Sequence, residues 1–215
     1  MNHLIDMNDL NPRETEMLSY CENLGGQTMP IELVVLFRAA SNIPDNSKIL
    51  EIGSYRGRSS AAIGCSIKGT NKKLYCLDIW RNYNTQPDNP LKGDLKKDNL
   101  PKTDFEVIED FMKNTDWLDE NICHLRGRTV DFIELFADES FNMVFIDGAH
   151  DYNNVSIDID FAMRILKPKG IICGHDYHSA GTDVIKSVDE KIINNPDIKI
   201  KGIIPDTSIW MGIKD

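Results

Sequence analysis

The stretch "ILEIGSYRGRSS", residues 49–60, decides the fold, because an apolar run passes through two glycines into a run of small residues. The apolar run predicts a buried strand, and the small residues after Gly57 predict a helix. Gly53 and Gly57 would let a ligand approach the backbone closely, next to the helix N-terminus. Their GxxxG spacing matches neither the dinucleotide fingerprint nor a P-loop. By itself the pair is as compatible with a structural turn as with a ligand site.

Apolar runs and helical patterns alternate along the rest of the chain. Buried strands are predicted at 48–53, 73–80, 122–127, 143–147 and 170–176. Helices are predicted at 58–68, 105–113, 130–137, 155–166 and 184–193. The tail, 198–213, predicts two more strands joined by a turn at "PD". The alternation predicts an α/β fold, with a doubly wound, mostly parallel, seven-stranded Rossmann-like sheet and an antiparallel strand near the C-terminus.

Two segments fall outside this alternation. Residues 1–47 precede the first strand and contain a helical pattern, "PIELVVLFRAA", so we predict an N-terminal helical cap followed by a domain spanning 48–215. Residues 81–104 are polar and unusually long for a connection. We interpret them as a lid loop whose first residues, among them Asn82, contact acceptor hydroxyls. A solvated surface loop is an equally good interpretation of the same composition.

Composition excludes several classes of protein. The 215 residues carry 34 acidic and 24 basic side chains, a formal net charge of −10, which makes nucleic acid and anionic membranes poor partners. Apolar runs stay shorter than the roughly 18 residues of a membrane span. The polar, acidic start does not resemble a signal peptide. Five cysteines without a CxxC pair are typical of a reducing compartment, so we predict a cytoplasmic protein.

Acidic residues end the first two predicted strands. Asp78 ends the second strand, where a carboxylate can accept both ribose hydroxyls of a nucleotide. Glu51 lies at the end of the first strand, on the same edge of the predicted sheet. An N-cap or a solvated strand end would explain Asp78 alone, but the two acids together favour a nucleoside site.

Polar groups also follow the fourth and fifth predicted strands, in "VFIDGAHDY" and "GHDY". Ligands of open α/β sheets bind at the carboxyl ends of the strands. We therefore expect these side chains to meet there: Asp147, His150, His175 and Asp176. Two carboxylates and two imidazoles suit Mg²⁺, Mn²⁺ or another divalent ion, which would lower the pKa of a bound hydroxyl.

Individual residues of this cluster have different interpretations. His150 is the candidate base, because a histidine pKa lies near neutral pH. Asp151 is most simply the cap of the helix that follows it. His175 is compatible with a metal ligand and also with a buried histidine bonded to backbone.

Four segments in this order resemble the motifs of class I S-adenosylmethionine-dependent methyltransferases: "EIGSYRGRS", "LYCLDIW", "FIDGAHDY" and "LKPKGIICGHDY". More narrowly they resemble the branch of macrocin-type and cephalosporin-hydroxylase-like O-methyltransferases, with catechol O-methyltransferase a more distant relative. The resemblance covers about residues 25–213 and is specific as a set, although each motif is weak singly. It implies a Rossmann-like methyltransferase fold and S-adenosylmethionine as the cofactor.

The resemblance also implies roles for single residues. Those implied to bind the cofactor are Glu51, Gly53, Ser54 and Gly57 around the methionine part, Asp78 at the ribose, Ile79, Trp80, Arg128 and Thr129 around the adenine, and Asp147 near the sulfonium. Metal ligands are implied to come from Asp147 together with the pair His175–Asp176. In metal-dependent members that pair is usually two acids, so His175 departs from the pattern and leaves metal use open.

The expected function is methyl transfer to a hydroxyl of a small molecule, a sugar or a natural product, with His150 and Asp147 as catalytic residues. A nucleotide-binding oxidoreductase on a related fold is one alternative, and the missing GxGxxG fingerprint counts against it. A non-catalytic partner that keeps the fold is another, and the full set of strand-end acids counts against that. N- or C-methylation and a homodimer remain open.

Overall fold

The computed structural model describes residues 6–82, 101, 103–178 and 180–215. The strands are β1 (Lys48–Ile52), β2 (Lys73–Asp78), β3 (Ile122–Arg126), β4 (Phe141–Ile146), β5 (Leu166–Gly174), β6 (Ile198–Ile203) and β7 (Trp210–Lys214). They form one seven-stranded sheet in the order β3-β2-β1-β4-β5-β7-β6. β7 is antiparallel to both of its neighbours, and the other pairings are parallel. This arrangement confirms the predicted fold class.

Helices cover both faces of the sheet. They are α1 (Pro12–Cys21), α2 (Pro30–Asn42), α3 (Arg58–Ile67), α4 (Asp104–Thr115), α5 (Thr129–Phe132), α6 (Tyr152–Ile165) and α7 (Thr182–Val188). A 3₁₀ turn, Asp116–Asn121, follows α4, and a π-helical turn, Asp189–Ile193, extends α7. Side chains of α2, α3 and α4 share one hydrophobic core with one face of the sheet, and those of α6 and α7 share a second core with the other face.

The N-terminal segment is part of this packing. Val35 and Leu36 of α2 are fully buried in the same core as Ile49 of β1 and Met143 of β4. The ion pair of Arg38 Nε with Glu14 Oε1, at 2.6 Å, ties α2 to α1. α2 therefore buries its apolar face directly against the sheet. The domain boundary that the sequence predicts at residue 47 stays a prediction.

Two predicted element ends differ from the structure. The helix predicted at 130–137 is helical only in α5, and the chain then turns so that Phe136 packs against the sheet core. The "KPKG" stretch lies inside β5 rather than in a loop, because Leu166 already pairs with Phe141 of β4. The register shifts after that pair, and Lys169 takes a left-handed φ of 63° to absorb the extra residues.

The start of α6 confirms the interpretation of Asp151. Its side chain accepts a hydrogen bond from the backbone N–H of Asn154 at 3.1 Å, which is the contact of an N-cap. Asn82 at the start of the predicted lid is buried, and its N–H donates to Asp104 Oδ1 at 2.7 Å. The rest of that loop, residues 83–100 and 102, lies outside the described residues.

Across the described parts of the chain, every helix is too short or too polar to cross a lipid bilayer.

Gly53, at the end of β1, has φ of 91°, a left-handed value that favours glycine. A methyl group at this position would overlap the backbone carbonyl of Asp147, which follows β4. The backbone N–H of Gly53 donates to Leu77 O at 2.8 Å, so the residue is held between β2 and the loop after β4. Gly53 therefore sets the distance between two loops at the carboxyl edge of the sheet.

We expect Gly53→Ala to destabilise the fold by about 3 kcal/mol or more, because left-handed strain and overlap with backbone act together. The matched control is Gly69→Ala, since Gly69 also has a left-handed φ, 76°, but a methyl group there would meet no atom of the described, non-adjacent residues within 4 Å. That change should cost only about 1–2 kcal/mol of backbone strain. Urea unfolding of both variants measures the difference, and equal losses would show that the Gly53 overlap is relieved by loop movement.

Candidate active site

Four parallel strand ends meet at one edge of the sheet. Backbone hydrogen bonds continue one residue past the strands, from Gly53 to Leu77, from Asp147 to Ile52 (2.7 Å) and from His175 to Ile146 (3.0 Å). The loops after β1, β4 and β5 therefore leave the sheet side by side. This is the edge where ligands of open α/β sheets bind.

Asp78 fixes the loop after β1. Its Oδ2 accepts a hydrogen bond from the backbone N–H of Tyr55 at 2.8 Å, and its Oδ1 accepts one from Trp80 at 2.5 Å. Burial raises the pKa of Asp78, while these backbone donors oppose the shift. Each carboxylate oxygen has two acceptor positions, so the side chain keeps capacity for ligand hydroxyls. Asp78 lies at the end of β2, and its role as a ribose-binding acid stays a prediction.

Glu51 lies beneath this loop rather than on its surface. It is fully buried, and its carboxylate accepts hydrogen bonds from Ser59 Oγ, at 2.6 Å, and from Ser60 Oγ. Burial raises the pKa of Glu51 despite these donors. With no exposed surface, Glu51 supports the first turn of α3 and does not reach a ligand in this conformation. Ser54 is also buried, at 2% exposure.

Trp80, two residues after Asp78, is buried in the core. A left-handed φ of 46° directs the chain so that the indole is 3% exposed and packs on Phe111 at a centroid distance of 4.8 Å. Its Nε1 donates to Tyr55 O at 3.0 Å. Trp80 is a core residue that supports the loop, and its expected contact with adenine stays a prediction. Ile79, half-buried, remains beside the edge.

Arg128 and Thr129, which follow β3 and are expected around the adenine, differ from each other in exposure and in contacts. Arg128 is largely exposed and lies 3.8 Å from Asp131 of its own turn. Thr129 is buried, and its hydroxyl donates to Asp158 Oδ1 on α6 at 2.5 Å. Burial raises the pKa of Asp158 to about 6. Asp158 was missed from sequence, where it is one more polar position of an amphipathic helix, and Thr129 is committed to it rather than free for a ligand.

The side chains after β4 and β5 do come together. His150 Nε2 lies 2.8 Å from Asp176 Oδ2. His175 Nδ1 lies 3.2 Å from Asp176 Oδ1 and 3.8 Å from Asp147 Oδ1. Asp176 has a left-handed φ of 66°, an unfavourable conformation for a residue with a side chain, and it is held between the two imidazoles.

Electrostatics in this cluster are strongly coupled. Burial raises the pKa of Asp147 to about 7, against the opposing effect of the neighbouring histidines. Burial lowers the pKa of His175, but the three carboxylates around it outweigh burial and raise the pKa to about 11. Asp176 has a pKa held well below its usual range, since both imidazoles pair with it and outweigh burial. The bond to Asp176 raises the pKa of His150 above its ordinary value.

Sequence reasoning also missed Glu32, on α2. Its Oε2 lies 2.9 Å from His175 Nε2, and its side chain is 1% exposed. The position lies far from any predicted strand end, and no local pattern marks it as part of this site. The cluster thus contains three carboxylates and two histidines rather than the two of each expected from the strand ends.

The donor set fits a divalent cation. Ligand atoms of Asp147, His175 and Asp176 lie within 4.8 Å of one another, as the resemblance implied. A cavity of about 10 Å³, close to the volume of one small occupant, is lined by these three residues together with His150. The same groups also suit a protonated His175, whose charge the carboxylates balance.

The chain is similar to known proteins in both sequence and fold. The sequence matches the family model described as a methyltransferase domain over residues 50–177. No curated protein matches it. Similar solved structures include a putative caffeoyl-CoA O-methyltransferase from Staphylococcus aureus, with 17% identity, TM-score 0.62, and coverage of 100% of this chain and 98% of that one.

Two further similar structures were determined with ligands. One is the O-methyltransferase TomG from Streptomyces achromogenes, involved in tomaymycin synthesis, in complex with SAM; identity is 12%, TM-score 0.61, and coverage 96% and 91%. The other is the O-methyltransferase from Bacillus cereus in complex with SAH; identity is 15%, TM-score 0.60, and coverage 97% and 94%. At these identities the similarity is one of fold.

We expect Asp158→Asn to remove part of the pH dependence of stability. The pKa of Asp158 rises from 3.8 to about 6 on folding, so its contribution to stability is complete below pH 3.8 and is lost as the pH rises through about 6. The loss amounts to about 3 kcal/mol, at about 1.4 kcal/mol per pKa unit. Urea unfolding between pH 4 and 7 should show a flatter profile for the variant.

The control for that experiment is Asp160→Asn. Asp160 lies on the same helix, but its side chain is 67% exposed and pairs only with Lys191. An exposed pair contributes little, so this variant should keep the wild-type profile. If Asp158→Asn also kept it, another group would be responsible for the pH dependence.

Proposed function

The chain belongs to the methyltransferase-domain family, and from this premise we propose that it is an S-adenosylmethionine-dependent O-methyltransferase acting on a small molecule. One observation carries the proposal. The carboxyl ends of β1, β2 and β4 bring the Gly53 turn, Asp78 and Asp147 to one edge of the sheet. A glycine turn, a ribose acceptor and an acid near a cationic centre are the parts that this cofactor requires.

The cofactor end follows from the chemistry of these groups. Asp78 would accept hydrogen bonds from the ribose hydroxyls with the acceptor positions that its backbone donors leave, since a carboxylate has about four. Ile79 would lie beside the adenine, and Gly53 would leave room for the methionine part. The loops would be held in place from within the core by Glu51, Trp80 and Thr129. Arg128 would contact the cofactor only from its exposed turn.

The reacting end lies at β4 and β5. When bound, S-adenosylmethionine supplies an already activated methyl group, so the protein has to position an acceptor oxygen in line and remove its proton. His150, held by Asp176 at 2.8 Å, is the proposed base. Asp147 would lie near the sulfonium, whose positive charge a cluster of carboxylates favours.

A divalent ion is a further part of the proposal. Asp147, His175 and Asp176 would hold it, and it would lower the pKa of an acceptor hydroxyl. Mg²⁺ and Mn²⁺ are the first ions to test. Activity that persists in excess chelator would remove the ion from the proposal and leave the methyl transfer.

The acceptor we propose is a hydroxylated sugar or natural product. Support comes from the O-methyltransferases of similar fold, one of them named for a natural-product synthesis. The net charge of −10 argues against a nucleic acid partner. Cys21, Cys65, Cys76, Cys123 and Cys173 are all free, which supports the cytoplasmic location that we propose. A homodimer remains a prediction for sedimentation analysis.

We expect the demethylated cofactor product to bind the purified chain, and Asp78→Ala to weaken that binding at least tenfold, because a charge-assisted pair of hydrogen bonds is lost. Isothermal titration calorimetry measures both affinities. Asp45→Ala is the control, since Asp45 precedes β1 at the opposite edge and accepts a hydrogen bond from the Asn71 side chain. Absence of binding to the wild-type protein would refute the proposed cofactor.

We expect His150→Gln to lower kcat about 100-fold or more, the usual contribution of a general base. The assay follows release of the demethylated cofactor with a panel of sugars, catechols and hydroxycinnamoyl compounds. Asp151→Asn is the matched control, because asparagine also caps a helix and the change lies one residue away. Equal turnover of the His150→Gln and wild-type enzymes would exclude His150 as the base, and full turnover of Asp147→Ala would exclude a catalytic role for Asp147.

A further inference from the structure

Glu32 brings a buried carboxylate from the N-terminal segment to the end of β5. It lies in the first turn of α2, more than a hundred residues before His175 in sequence. Its Oε2 is 2.9 Å from His175 Nε2. The two groups form an ion pair in which Nε2 of His175 lies beside the Glu32 carboxylate.

The carboxylate of Glu32 is fixed by backbone donors from two separate segments. Oε1 accepts a hydrogen bond from the N–H of Ser208, before β7, at 2.9 Å. Oε2 accepts one from the N–H of Met29, at the start of α2, at 2.8 Å. Because both oxygens are anchored, the position of the negative charge beside His175 is set by the fold and not by a free rotamer.

This anchor decides which nitrogen of His175 faces the strand-end acids. With Nε2 directed to Glu32, Nδ1 faces Asp176 and Asp147, at 3.2 and 3.8 Å. When a metal ion takes the place of the second proton of His175, the carboxylate beside Nε2 keeps the remaining proton on that nitrogen and leaves Nδ1 as the electron-pair donor. His175 is thereby oriented as a nitrogen ligand.

The resulting donor set contains two carboxylates and one imidazole. Mg²⁺ prefers a complete set of oxygen ligands, whereas first-row transition ions accept an imidazole nitrogen, and Mn²⁺, the weakest binder of that series, is the member nearest to Mg²⁺ in its preference for carboxylates. The chain therefore has a mixed nitrogen–oxygen set where its family resemblance implies a set of acids.

We propose that Glu32 is a positioning residue that presents Nδ1 of His175 as a ligand, and that the site therefore binds a transition ion such as Mn²⁺ more tightly than Mg²⁺. The inference rests on the metal use proposed above. It adds the residue that orients the ligand and the class of ion that the site selects.

Metal titration of the full-length protein tests both parts. Calorimetry measures the affinities for Mn²⁺ and Mg²⁺, and electron paramagnetic resonance measures the free Mn²⁺. We expect Mn²⁺ to bind at least tenfold more tightly than Mg²⁺. Glu32→Gln should weaken Mn²⁺ binding by about 10- to 100-fold, as is typical when an outer carboxylate is removed. His175→Asp should reduce the Mn²⁺ preference at least tenfold, because all three ligands then become oxygen donors.

Glu14→Gln is the matched control. Glu14 is 2% exposed, occupies the same helix position in α1, accepts a backbone hydrogen bond from Asn11, and pairs with Arg38 instead of a histidine. Its loss should lower stability but leave Mn²⁺ affinity unchanged. Thermal unfolding of each variant separates a folding defect from a loss of Mn²⁺ affinity. If Glu32→Gln does not fold, the ion preference of His175→Asp tests the inference.

Three results would overturn the inference: wild-type protein that does not bind Mn²⁺, folded Glu32→Gln that binds it as tightly as wild type, or His175→Asp with an unchanged ion preference. Binding of the demethylated cofactor product is measured on the same samples. Cofactor binding without Mn²⁺ binding would refute this inference alone, whereas Mn²⁺ binding without cofactor binding would refute the proposed cofactor alone.

Discussion

The parallel pairing of β1 with both β2 and β4 is the constraint on which the candidate site depends. Ile52 is opposite Leu77 on one side and Ile146 on the other, so the next residue of each strand emerges at the same level. The loops after β1 and β4 touch through backbone at Gly53 and Asp147. Any side chain at Gly53 would push them apart, so this glycine sets the packing of the two loops.

Charge balance is the second constraint on the site. Three carboxylates, from the buried Glu32 and the half-buried Asp147 and Asp176, surround one imidazole, and a second imidazole pairs with Asp176. Buried carboxylates are costly unless they are paired or bind a cation. The cluster therefore requires positive charge, from a protonated His175 or from a metal ion, and the family's methyl donor is itself a cation.

Several buried residues near the carboxyl edge hold the loops of the candidate site in place through hydrogen bonds. Glu51 holds the first turn of α3 through Ser59 and Ser60, and Trp80 anchors the loop of Tyr55. Thr129 is bound to the buried Asp158. Their burial explains how these loops are held in one arrangement, since hydrogen-bonded polar groups in a packed interior specify a single geometry.

The sequence by itself determined the strand–helix order, the seven-stranded sheet and the meeting of Asp78, Asp147, His150 and Asp176 at its carboxyl edge, because strand periodicity and parallel topology are local and general. It also identified Asp151 as a cap, because a cap is a local contact. Only the tertiary structure decided which side chains near the edge are buried, among them Trp80 and Thr129. It also decided that Glu32 faces His175. Those outcomes depend on packing between segments far apart in the chain, and no local pattern of residues encodes which distant backbone donors will fix a buried carboxylate.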